Sequence, residues 1–137
     1  MEFYPMPMFV KLSVKDMTRS LQWYKNVLQF ESVLELPNDK GEIVMAHIRG
    51  EKYQDILLLL EACNKGEGNG IVLNFTVNDV NSFFENARNH KANITEGPTN
   101  RAWNARELVL ADPDGYVITL SMQIDNEKTM NDIVSGL

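Results

Sequence analysis

Phe9-Val10-Lys11-Leu12-Ser13-Val14-Lys15-Asp16-Met17 returns 63 residues later as Val72-Leu73-Asn74-Phe75-Thr76-Val77-Asn78-Asp79-Val80. In each copy apolar and polar residues alternate, the period-two mark of a strand with one covered face. Val10, Leu12 and Val14 share one side in the first copy, and Phe9, Lys11 and Ser13 share the other. The second copy sorts in the same way, with Leu73, Phe75 and Val77 against Val72, Asn74 and Thr76. Each strand runs into an aspartate, Asp16 or Asp79, at the place where a helix N-cap accepts from free backbone N–H groups. Apolar stripes at helical spacing follow: Met17, Leu21, Tyr24 and Leu28, then Val80, Phe83, Phe84 and Ala87. A repeat of this length predicts two similar modules packed together, with a cleft between them.

Outward from the first copy, strand patterns cover Glu31 to Leu36, Gly41 to Ile48 and Asp55 to Glu61, separated by turn residues at 38–41 and 49–51. The four leucines Leu57 to Leu60 put apolar groups on both faces, which predicts a central strand covered on both sides. Asn64 to Gly70 links the modules. Outward from the second copy come a short strand near Asn93 to Thr95 and another from Arg106 to Leu110. The turn Asp112-Pro113-Asp114-Gly115 then leads into a last strand from Tyr116 to Met122. Each module reads βαβββ. The chain is thus one domain, 1–137, with module one at about 8–63, module two at about 70–123 and a tail at 124–137. In the tail Met130, Ile133, Val134 and Leu137 fall at helical spacing, so it either docks as a short helix or frays.

Composition narrows the partners. With 137 residues, 44% of them hydrophobic, the chain can bury a core of its own. A net charge of −6 argues against nucleic acid or an anionic membrane as partner, since both need a basic face. The lone cysteine, Cys63, permits no internal disulfide, and no apolar run approaches the length of a membrane span. The start of the chain lacks the pattern of a signal peptide, and a cytoplasmic location is expected.

Val14, Asp16-Met17, Ser20-Leu21 and Trp23-Tyr24, paired with the stretch Asp112 to Leu120, resemble the vicinal oxygen chelate superfamily. That group contains the glyoxalases, bleomycin resistance proteins and extradiol dioxygenases. The resemblance implies an α+β fold: tandem βαβββ modules forming a cupped mixed sheet, helices outside and the site in the concave interior. It also implies a homodimer, for which the segment Phe3 to Met8 is a candidate swapped or docking arm.

Members that use a metal hold it on the open side of facing strands. The family's ligand positions fall here on Phe9, Val72 and Thr119, and on Leu58 or Leu60 with Glu61 adjacent. Zinc or iron needs three or four His, Cys or carboxylate donors at roughly 2 Å. Phe and Val donate nothing and a Thr hydroxyl is a poor ligand, so neither metal nor other cofactor is expected. The histidines His47 and His90 lie outside those positions. Trp103-Asn104-Ala105-Arg106-Glu107 is similar to a Trp-bearing stretch of the bleomycin resistance branch, where aromatic residues line a drug groove. Trp103 either stacks on a planar ligand or lids the core.

The resulting candidate cleft is Phe9, Lys11, Ser13, His47, Leu58, Leu60, Val72, Asn74, Trp103, Arg106 and Thr119. Apolar surface with a few polar groups suits a small, partly apolar organic molecule. The reading is a metal-free, bleomycin-resistance-like binding protein, with drug sequestration and antibiotic resistance as its use. The rival is a divalent-metal-dependent lyase or dioxygenase using non-standard ligands such as Glu61 and His47. A regulatory subunit with a filled cleft is a third reading.

Overall fold

The computed structural model describes residues 2–6, 8–61 and 70–137; Cys63 and most of the glycine-bearing link lie outside them. The order of elements is β1 (Val10–Val14), α1 (Met17–Leu28), β2 (Glu31–Pro37), β3 (Ile43–Arg49) and β4 (Asp55–Leu60). There follow β5 (Val72–Thr76), α2 (Val80–Asn89), β6 (Asn93–Arg101), β7 (Ala105–Ala111), β8 (Val117–Gln123) and α3 (Met130–Ser135). Two compact units result: Met1–Gly68 with Pro113–Gly115, and Asn69–Asp112 with Tyr116–Leu137.

Each unit is a βαβββ module around one four-stranded mixed sheet, in the order β1-β4-β3-β2 or β5-β8-β7-β6. The architecture is α+β. In both sheets the first and last strands of the module pair in parallel and the other neighbours are antiparallel. A parallel pair needs a long crossover, which the helix and hairpin supply.

The helices begin where the aspartates stand. Asp16 accepts from the Arg19 N–H at 3.1 Å, and Asp79 from the N–H groups of Asn81 and Ser82. Beneath α1 the covered face of the sheet carries Leu12, Val14, Ala46, Ile48, Ile56 and Leu58, all buried. Beneath α2 the same work falls to Phe75, Val77, Leu108, Leu110, Ile118 and Leu120. Burying one such side chain contributes about 1.5–3 kcal/mol, so these two rows carry much of each core.

β4 and β6 differ from the sequence reading, and the tail takes one of the two forms it left open. β4 is central, but only one of its faces is closed: Leu58 is fully buried whereas Leu57 and Leu59 are half-buried. β6 continues to Arg101 through Gly97-Pro98, because an edge strand with register shifts tolerates a residue lacking an N–H. Gly97 has φ +88°, and a Cβ there would meet the Glu107 carbonyl oxygen at 2.4 Å, so no other residue fits. In the tail, α3 is a single capped helix with reciprocal Thr129–Asp132 bonds and no buried residue.

The Asp-Pro-Asp-Gly turn has a second use. The buried Asp114 carboxylate accepts from the Lys15 N–H at 3.0 Å and lies 3.3 Å from the Ser20 hydroxyl, which ties Pro113–Gly115 into the first unit. No helix among the described residues is long and apolar enough to cross a membrane.

Candidate functional site

Strand register sorts every candidate onto a face, since paired residues in neighbouring strands point the same way. On the open face of module one, two rows run across the sheet. Leu34, His47, Leu57 and Lys11 form one, and Leu36, Met45, Leu59 and Ser13 the other. Five of these eight side chains are hydrocarbon or thioether, and Leu34 and Leu36 remain 49% and 42% exposed. An apolar sheet face left open to this extent is a place for a ligand or partner.

One end of this face is closed by a polar cluster that the sequence did not reveal. The Asp55 carboxylate receives the Arg49 Nε–H at 2.9 Å, His47 Nε2 at 2.9 Å and the Tyr4 hydroxyl. The Tyr4 hydroxyl in turn accepts from the Tyr53 N–H at 2.7 Å, and the Arg49 guanidinium lies 4.3 Å over the Tyr4 ring. Arg49 also donates to the Glu2 carbonyl at 2.7 Å, and Lys52 pairs with the Glu2 carboxylate at 2.6 Å. The N-terminal arm thus docks on its own module. Burial pushes the Asp55 carboxyl up, but hydrogen bonds from Tyr4, His47 and Arg49 outweigh it and hold it below the usual carboxylate range. The Tyr4 phenol is raised, chiefly by burial and then by its bond to Asp55.

The open face of module two is polar at the equivalent places. Its rows are Glu96, Val109, Thr119 and Asn74, then Thr99, Glu107, Ser121 and Thr76. The buried Glu107 carboxylate gathers the Arg101 Nε–H at 3.1 Å, the Trp103 Nε1–H at 3.3 Å and the Ser121 hydroxyl at 2.9 Å. Arg101 also pairs with Glu96 at 2.7 Å, a bond that holds the Glu96 carboxyl below its usual range. The Trp103 ring is 49% exposed, with the Arg101 guanidinium 5.7 Å over it. This is an indole platform, held at its N–H and half-exposed.

Of the candidates, Lys11, Ser13 and His47 lie in the open rows of module one, and Phe9 shares their parity just before β1. Val72, Asn74 and Thr119 lie on the open face of module two, with Thr119 only 7% exposed, and Trp103 stands beside them through Glu107. Three assignments are corrected. Leu58 and Leu60 pair with Leu12 and Val14 on the helix side, so Leu57 and Leu59 hold the open positions. Arg106 pairs with Met122 and reaches toward α2, bonding Asn81 at 3.0 Å, because it shares the parity of Leu108 and Leu110. Leu60 instead lines a groove of about 590 Å³ on the helix side of module one, beside Asp16, Met17, Leu21, Glu35 and Ile43.

Sequence reasoning also passed over Leu34, Leu36, Met45, Asp55 and Glu107. What the sequence lacked was the pairing between strands that says which parity of each strand is open.

The register sharpens the test of a metal site. Lys11 pairs with Leu57, and its repeat counterpart Asn74 pairs with Thr119, so Leu57 is the first-module equivalent of Thr119. The positions that the resemblance assigns to ligands are then Phe9 and Leu57 in module one and Val72 and Thr119 in module two, whose one oxygen donor is a hydroxyl. They do not fit zinc or iron. Among the described residues no three His, Cys, Asp or Glu side chains are grouped to hold a metal ion.

Fold and strand order define a glyoxalase-like protein, and comparison with known proteins agrees. Residues 8–120 match the glyoxalase/bleomycin resistance protein/dioxygenase superfamily, and the chain belongs to it. No curated protein sequence matches the chain. Among solved structures it is similar to TnmS3, an antibiotic binding protein from Streptomyces sp. CB03234, with 20% identity over 90% of this chain and 98% of that one, at a TM-score of 0.66. TioX from Micromonospora sp. ML1 shares 19% identity over 88% and 98% of the two chains, at a TM-score of 0.70. A glyoxalase/dioxygenase from Nostoc punctiforme shares 20% over 85% and 90%, also at 0.70. Likeness at this level of identity shows the fold.

Proposed function

We propose that this protein is a metal-free member of its superfamily that binds a small, partly apolar, planar organic molecule on an open sheet face, with antibiotic sequestration as the use. The observation that carries the reading is the open face of module one, where Leu34, Leu36, Met45, Leu57 and Leu59 form an apolar floor with Lys11, Ser13 and His47 as its polar groups. Small-molecule sites combine apolar area with a few placed polar groups in this way. Support comes also from the exposed indole of Trp103, and from a structural neighbour that is an antibiotic binding protein.

The test is a thermal-shift screen of planar aromatic compounds and metal ions. Aromatic compounds raise the melting temperature by mass action with their affinity, whereas Zn²⁺, Fe²⁺ and Mn²⁺ leave it unchanged. A rise produced by one of these metals and reversed by EDTA overturns the metal-free reading. The family resemblance further supports a homodimer, and sedimentation as a monomer at micromolar concentration would contradict it.

A further inference from the structure

We infer that His47 is the hydrogen-bond acceptor, through Nδ1, for a phenolic hydroxyl of the ligand on the open face of module one. The inference rests on the binding reading above and narrows it to hydroxylated aromatic molecules.

The chemistry begins at Asp55. Its carboxylate is buried and already gathers Arg49 and Tyr4 as donors, so it stays an acceptor toward its third partner. The contact of 2.9 Å with His47 Nε2 then requires the proton to sit on Nε2. In the neutral ring this leaves the lone pair on Nδ1. Among the described residues no group bonds Nδ1 and no side-chain nitrogen or oxygen is both buried and unpartnered. Nδ1 is therefore an oriented acceptor within reach of solvent.

Its surroundings select the donor. Leu34 and Leu57 flank His47 along its row, and Met45 and Leu59 occupy the next one. A ring lying across these side chains meets hydrocarbon on each side, and its hydroxyl finds one acceptor. Lys11 ends the same row and supplies the one formal charge of the two rows, a cation suited to an oxygen that is giving up its proton. A carboxylate would offer Nδ1 no proton. A saturated alcohol would offer only a weak donor and no flat face for the leucines.

The test compares p-nitrophenol with p-nitroanisole, which keeps the ring and nitro group but lacks the hydroxyl proton. Wild type is expected to bind the phenol roughly tenfold more tightly, the worth of one good hydrogen bond. The bound phenol's absorption band should move toward that of the phenolate. His47→Phe should erase the preference and the band shift, so that the phenol binds no more tightly than the nitroanisole. Equal binding of the two probes by wild type, or a preference that survives His47→Phe, overturns the inference and leaves the binding reading intact. Binding of neither probe overturns both. Should His47→Phe fold poorly, Lys11→Met decides: a phenol preference that persists in it is expected, and one that it abolishes overturns the inference.

Discussion

The two modules keep the same covered face and differ on the open one. Under the helices, Leu12, Val14, Ile56 and Leu58 of module one answer to Phe75, Val77, Ile118 and Leu120 of module two, all apolar and buried. On the other side Leu34, Met45, Leu57 and Leu59 answer to Glu96, Glu107, Thr119 and Ser121. One backbone plan therefore carries an apolar floor in one copy and a bonded polar network in the other. The covered face is constrained because any polar group there needs a partner in the core. The open face meets no such demand, so it is where function can differ between copies.

The comparison breaks most readily at β4. Leu58→Ala should destabilise by about 2–5 kcal/mol in urea unfolding, the cost of a cavity in a packed core. Leu57→Ala, one residue away on the open face, should cost less than about 1 kcal/mol and weaken binding of a planar aromatic probe. Equal losses of stability would mean that the two faces are not distinct.

Asp55→Asn removes the anion that Arg49, His47 and Tyr4 share, and should cost about 2–3 kcal/mol at neutral pH. Asp55 titrates lower in the folded state than unfolded, so its stabilisation is present above the unfolded value near about 4. It fades as pH falls through the folded value. The gap in melting temperature between wild type and Asp55→Asn should accordingly close in acid; a gap that widens there would refute this arrangement.

In module two, Glu107→Gln replaces the carboxylate that holds the indole, at about 1 kcal/mol. In a Trp23→Phe background the remaining Trp103 fluorescence should shift to the red as the ring loosens. An unchanged spectrum would show the platform to be held by something else. The smallest effect on stability, within about 0.5 kcal/mol, is expected from Trp103→Ala at its exposed position. The same change should weaken aromatic probes by several-fold if the face of the indole is part of the site.

Much of the fold was legible because alternation and capping are local. Asp16 and Asp79 announced the helices, and the parity of β1 and β5 separated Leu12 and Phe75 from Lys11 and Asn74 without any structure. The open faces were legible only where a strand's parity could be tied to the repeat. β4 failed that test: four leucines in a row carry no alternation, and the assignment slipped by one residue to Leu58 and Leu60. Arg106 slipped for a related reason, since a long polar side chain can lie against a helix edge as readily as on an open face. Its bond to Asn81 is a contact between distant positions that spacing does not encode.

What the sequence determined by itself is the duplicated βαβββ plan, and that Phe, Val and Thr stand at positions 9, 72 and 119, which the resemblance assigns to ligands, because both are read from residue order. What only the tertiary structure decided is the composition of the open faces and the clusters around Asp55 and Glu107. Those depend on register between strands and on the course of the N-terminal arm, which brings Tyr4 to Asp55, 51 positions along the chain, by a contact that no local pattern specifies.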